Sequence, residues 1–165
     1  MTPVQKTLFP SASPLSIDAR AKLLPTLNAS LADGIDLYSQ LKLAHWNVKG
    51  PHFASLHPLF ETLADEARAR NDELAERGVA LGGISIGTSR QVAKASRLDE
   101  PEVEATSARR LIEMLLGALG KHAEGLRAAR ELSVEVHDAD TEDLLTGQIK
   151  EVEKSAWFLS ASLES

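Results

Sequence analysis

Residues 27–45, LNASLADGIDLYSQLKLAH, decide the fold. Leu27, Leu31, Gly34, Tyr38, Leu41 and His45 recur at alternating steps of four and three, the repeat of a helix face turned toward a packing partner. His45 therefore falls on the buried stripe, and Gly50-Pro51 ends the helix shortly after it. Upstream, Ser16 is placed to cap the segment, with Pro25 marking either the start of the regular helix or a bend in it. Downstream, a second helix is expected from near Ser55 to about Leu81, with Pro58 in its first turn and Gly82-Gly83 closing it. A loop to about Ser89 leads into a short amphipathic piece around Arg90 to Arg97. Asp99 and Pro101 announce a third helix reaching roughly Leu132. Gly117, Gly120 and Gly125 each cost it about 1 kcal/mol relative to Ala unless close packing offsets the loss. Asp140 and Asp143 resemble a capping box, after which Leu145, Ile149, Val152, Ala156, Leu159 and Leu163 carry an apolar repeat along a fourth helix.

Four long amphipathic segments, with the longer connection between the second and third, predict an all-α, ferritin-like four-helix bundle with a short extra helix in the crossover. Composition agrees: Leu and Ala supply 48 of the 165 residues, while aromatic and β-branched residues are sparse. The bundle domain is expected to occupy residues 16–165. Residues 1–15, with Pro3, Pro10 and Pro14 and no apolar period, are expected to form a flexible or extended arm.

The absence of cysteine excludes disulfides, thiolate metal sites and Cys nucleophiles, so any metal must be held by nitrogen and oxygen. No long apolar run or export signal is read, and a cytoplasmic protein without membrane contact is expected. The net charge of −6 argues against a surface built to neutralise phosphates.

The chemistry lies in His45-Trp46-Asn47-Val48-Lys49-Gly50-Pro51-His52-Phe53 and the helix after it, which carries His57, Glu61, Asp72 and Glu76. On an ideal helix these last four fall within an arc of roughly 100°, yet Glu61 and Asp72 lie about 16 Å apart along the axis, far beyond metal–ligand reach. One helix cannot close one site with all four. The pairs 57/76 and 61/72, however, share a midpoint between residues 66 and 67. Two copies packed antiparallel about a two-fold axis there would set His57 opposite Glu76 and Glu61 opposite Asp72, with His45 adding a second nitrogen. A metal site shared between two subunits is inferred, and its imidazole and carboxylate ligands suit iron, manganese or zinc. Taken singly, Glu61, Asp72 and Glu76 read equally well as solvated charges, with Glu66-Arg70 and Glu76-Arg77 as surface pairs. His122, on an apolar stripe without helical carboxylate neighbours, reads as a core histidine, and His52 is left unassigned.

The string from His45 to Gly83, with its H-W-N-V-K-G-P start and L-H-x-L-F core, closely resembles the Dps family of mini-ferritins. The later Asp140-Thr141-Glu142-Asp143-Leu144-Leu145-Thr146 and Trp157-Phe158-Leu159 are also similar to its last helix. The resemblance implies a dodecameric homo-oligomeric cage that oxidises ferrous iron, preferably with hydrogen peroxide rather than oxygen, and stores the ferric product against oxidative damage. It implies ferroxidase ligands at His45, His57 and Glu61 of one subunit with Asp72 and Glu76 of its neighbour. Glu61 stands where the family usually has Asp. The resemblance further implies a radical-intercepting role for Trp46, against simple interface filling, and an acidic lining of the iron-entry pores from Asp138 and Asp143, against helix capping. An architectural DNA-binding cage is the competing function, but residues 1–15 contain only Lys6 and nothing basic follows Lys154, so DNA binding is expected to be weak or absent. An intrachain di-iron enzyme built on E-x-x-H pairs is disfavoured, because no E-x-x-H occurs.

Overall fold

The computed structural model describes residues 8–102 and 104–163. Its elements are α1 (Ile17–Asn47), α2 (Phe53–Ala80), α3 (Ser89–Ala95), α4 (Ala108–Glu135) and α5 (Ala139–Ala161), with no strand among the described residues. The four long helices form the bundle: α1 packs along α2 and α4, α4 along α5, and α2 meets α5. The crossover between α2 and α4 carries α3, which lies on α1. The expected all-α, ferritin-like bundle with a short crossover helix is the architecture found.

The apolar stripe of α1 does what its period predicts, with Leu27, Leu31, Leu37 and Leu41 all buried beside Phe60 of α2. Ser16 caps α1, its Oγ accepting the Ala19 N–H at 3.1 Å. Pro25 neither starts nor ends the helix. It sits on the exposed side, where the carbonyl it leaves without an intrahelical donor can be hydrated. The polar residues of α1 fasten the crossover. Asn28 brackets Ile84 and Ile86 through two 3.0 Å hydrogen bonds, and Gln40 donates to the Asp99 carbonyl. Asp33, fully buried, accepts from the Arg97 backbone N–H, Nε and Nη2 at 2.8, 2.9 and 2.6 Å. A buried carboxylate held by charge-assisted bonds to a long-range arginine fixes where the crossover returns.

Several boundaries differ from the sequence expectation. α2 begins at Phe53, so Pro58 stands in its second turn. α4 begins at Ala108, not near Asp99 and Pro101. Residues 99–102 and 104–106 instead lie outside any helix, because Ser107 supplies the cap and Glu102 is drawn into an ion pair with Arg110. Lys49 N–H donates to the Thr106 carbonyl at 2.9 Å, tying the α1–α2 turn to this loop. Close packing explains only one of the three glycines of α4: a Cβ on Gly125 would meet Arg97 Nη2 at 2.2 Å, whereas Gly117 and Gly120 face open space.

Residues 8–15 run along the end of α2. The Phe9 N–H donates to the Gly82 carbonyl at 2.8 Å, and Arg20 Nη1 reaches the carbonyls of Leu81 and Phe9. Gly82, at φ 83°, lets this strap approach, since a Cβ there would stand 2.4 Å from the Phe9 oxygen. The remainder of the expected arm, residues 1–7, lies outside the described residues.

Candidate metal centre

His45 lies in the last turn of α1 and His57 in the second turn of α2, joined by the tight connection through Gly50 at φ 102°. Their rings stack with centroids 3.8 Å apart and planes 26° from parallel. His45 Nδ1 lies 2.8 Å from the His57 carbonyl oxygen, and His57 Nδ1 lies 2.9 Å from the His45 carbonyl oxygen. A carbonyl oxygen only accepts, so both Nδ1 atoms carry the proton. With Nδ1–H committed in this way, Nε2 is the ring nitrogen each imidazole can offer to a metal. The reciprocal bonds also give a carbonyl at the frayed end of α1 a partner.

Glu61 stands one helical turn beyond His57. Its Oε2 lies 3.3 Å from His45 Nε2 and in direct contact with Lys42 Nζ. The Lys42 ammonium holds the Glu61 carboxyl below the usual carboxylate range, with smaller help from His45 and His57 and with burial opposing. Phe53 packs against His57 with ring centroids 4.9 Å apart, and Lys42 Nζ lies 5.8 Å from the Trp46 ring centroid. Trp46 is 68% exposed and Phe53 47% exposed, so two aromatic rings flank the histidine pair in open solvent.

Asp72 and Glu76 are exposed on the far half of α2, as the helical rise requires. Asp72 lines a groove of about 520 Å³ with Leu31, Ile35, Ala75, Ile86 and Gly87. The chain thus brings His45, His57 and Glu61 together and leaves Asp72 and Glu76 apart from them. Among the described residues, no group of three or more His, Asp or Glu side chains is placed to hold a metal ion within one chain.

The acidic pair at the start of α5 divides. Asp143 is exposed. Asp138 is 4% exposed and is itself the N-cap of α5, a correction to the capping box read at Asp140. Asp138 Oδ1 accepts from Arg77 Nη2 at 2.7 Å and from the Thr141 N–H at 3.3 Å, while Oδ2 takes the Thr141 hydroxyl. With both oxygens engaged inside the chain, Asp138 caps α5 and pairs with Arg77. Arg77 accordingly pairs with Asp138 and not with Glu76, whereas Glu66 and Arg70 do meet, at 3.8 Å. His52 precedes α2 without a side-chain capping bond.

Two features at or near the site escaped sequence reasoning. Lys42 could have been flagged, since it shares a helix side with His45 and Trp46 at spacings of three and four. The exchange of hydrogen bonds between the two histidines depends on the angle between α1 and α2 and leaves no sequence signal.

Comparison with known proteins agrees with the fold. The ferritin-like domain family matches residues 25–165. The DNA protection during starvation protein of Agrobacterium fabrum is 33% identical over 150 residues, covering 91% of this chain and 93% of its own. The solved structure of DpsC from Streptomyces coelicolor superposes with a TM-score of 0.92 at 29% identity, over 96% of this chain and 93% of its own. The Dps protein of Vibrio cholerae O1, described as a member of a broad superfamily of ferritin-like diiron-carboxylate proteins, superposes with a TM-score of 0.86 at 28% identity, over 94% of this chain and 100% of its own.

Proposed function

The chain belongs to the DNA-protection-during-starvation family of ferritin-like proteins, and from that premise we propose that it is a ferroxidase whose iron pockets are shared between two subunits of a cytoplasmic dodecameric cage. Membership carries iron storage and oxidative protection as the general function. The observation that carries the finer reading is the histidine pair, fixed by reciprocal Nδ1–H bonds that leave both Nε2 atoms free to bind a metal, with His45 Nε2 3.3 Å from Glu61. Such a donor set is half of a metal site, and Asp72 and Glu76 are the other half, at the opposite end of α2. A two-fold axis midway along α2 brings the halves together. The partner's exposed aromatic side chains are the natural occupants of the groove in which Leu31, Ile35 and Ile86 lie beside Arg68, Asn71 and Asp72. No described helix is long and apolar enough to cross a membrane.

Ferrous iron is the substrate. Imidazole nitrogen and carboxylate oxygen hold it, and the carboxylates offset the charge that grows on oxidation to the ferric state. Two ferrous ions give one electron each to hydrogen peroxide, whose O–O bond breaks to two waters after uptake of two protons. Pairing the electrons in one event limits release of hydroxyl radical, and Trp46 beside the pocket intercepts any oxidising equivalent that escapes. Asp143, exposed near the α5 N-terminus, lines the iron-entry pore, where carboxylates draw in divalent cations. DNA binding is not part of this reading, because each chain carries a net charge of −6.

Stopped-flow oxidation of ferrous iron by peroxide and by oxygen, paired with light scattering for mass, tests the reading. A dodecamer oxidising iron faster with peroxide supports it. A monomer, or a His57→Ala variant oxidising iron at the wild-type rate, refutes it. Tight binding in a low-salt gel-shift titration would instead favour the DNA-coating cage.

A further inference from the structure

Between the two halves of the shared pocket α2 runs from Glu61 to Asp72. On an ideal helix only two of the intervening side chains, Asp65 and Arg68, fall in the arc of roughly 100° that holds the pocket carboxylates. Both are open to solvent, with side-chain exposures of 61% and 72%, and within the chain they pair loosely at 3.6 Å. A pair so exposed contributes little to the fold of one chain. Arg68 is nevertheless the only lysine or arginine on that arc along the whole of α2, whereas Glu61, Asp65, Asp72 and Glu76 are acids. It also stands in the wall of the groove that Asp72 lines. Two such faces repel each other unless each gives its one cation to the other.

The positions allow that exchange, because 65 and 68 share their midpoint with 57/76 and 61/72, between residues 66 and 67. A two-fold axis there sets Asp65 of each copy level with Arg68 of the other. We infer that Asp65 and Arg68 form the charge contact by which two copies of this chain recognise each other, as two reciprocal Asp–Arg pairs at the centre of the interface between the two pockets. The inference rests on the shared-pocket reading above. Each guanidinium then lies between two carboxylates, one from its own chain and one from the other, so acidic faces meet attractively at their centre. A chain with like charges at both positions is rejected by its own copy and accepted by a chain of the opposite sign.

Charge reversal in the full chain tests this. Asp65→Arg places only arginines at the axis, and Arg68→Asp only aspartates. With dissociation in urea at low salt followed by light scattering, each variant is expected to associate at least about tenfold more weakly than wild type, and added salt should narrow the gap. Refolded together in equal amounts, the two variants meet as opposite charges, and assembly should return to the wild-type resistance or above it. The double variant carrying Asp65→Arg and Arg68→Asp, which regains reciprocal pairing, should also assemble as wild type does. A folding defect in either single variant would persist in the mixture, so recovery there reads the contact itself. Single variants that dissociate at the wild-type urea concentration overturn the inference, and so does a mixture no more resistant than its components. If the single variants match wild type while His57→Ala abolishes iron oxidation in an assembled protein, only the charge contact fails. If wild type oxidises iron as a monomer, the shared pocket fails and the contact fails with it.

Discussion

Acid sensitivity can be worked out from one buried side chain. His122 on α4 is 2% exposed, its Nδ1 has no hydrogen-bond partner, and it faces Gly34 of α1, where a Cβ would stand 3.4 Å from its Cε1. Burial, reinforced by the guanidinium groups of Arg70 and Arg97, pushes its pKa from the usual 6.5 down to about 4. The folded state therefore keeps His122 neutral where the unfolded chain takes up a proton. The resulting stability is fully present above pH 6.5 and is lost as the pH falls toward 4. Between pH 7 and pH 5 the loss amounts to about 2 kcal/mol per chain. Replacing His122 with Leu fills similar space without a titrating group. Urea unfolding of wild type and His122→Leu should be measured at both pH values and one protein concentration, since association and folding are linked. Other titrating groups cancel in the double difference. The variant is expected to lose about 2 kcal/mol less than wild type on acidification. Equal losses in the two proteins would refute the assignment of acid sensitivity to this imidazole.

Gly34→Ala puts a Cβ 2.0 Å from Asn71 Oδ1, so the Asn71 side chain must move within a packed layer; a loss of about 1–3 kcal/mol in thermal or urea unfolding is expected. Asp138→Ala removes the α5 cap and leaves Arg77 unpaired, and should cost about 2–4 kcal/mol by the same assay. Asp143→Asn should leave stability unchanged and slow iron entry at low salt, read as the lag before stopped-flow oxidation; an unchanged lag removes its pore role. Trp46→Phe should keep iron uptake intact and raise the radical yield in a spin-trapping assay, and no rise would count against Trp46 as the interceptor.

The fold was legible where a residue's fate depends on its own helix. The three-and-four stripe from Leu27 to His45 is set by helical geometry, and each leucine on it is buried. The histidine pair was legible for the same reason, since His45 and His57 flank one short turn. Other features were hidden because a distant residue decides them. Asp138 and Asp140 are both chemically fit to cap α5, and Arg77, sixty-one residues upstream, selects Asp138. Asp99 and Pro101 carry local helix-start chemistry, but Gln40 claims the Asp99 carbonyl and Lys121 its carboxylate, which fixes that stretch as loop. Lys42 reads as a surface charge until α2 places Glu61 against it.

Subunit mixing tests the shared pocket most directly. One variant carries His45→Ala and His57→Ala, the other Asp72→Ala and Glu76→Ala, and each alone is expected to be inactive in peroxide-driven iron oxidation. In a mixed dimer one pocket loses both halves and the other keeps both, so random reassembly of equal amounts should restore about one quarter of the wild-type pockets. Recovery of about that fraction is the predicted result. No recovery from properly mixed assemblies would contradict a pocket built from two chains.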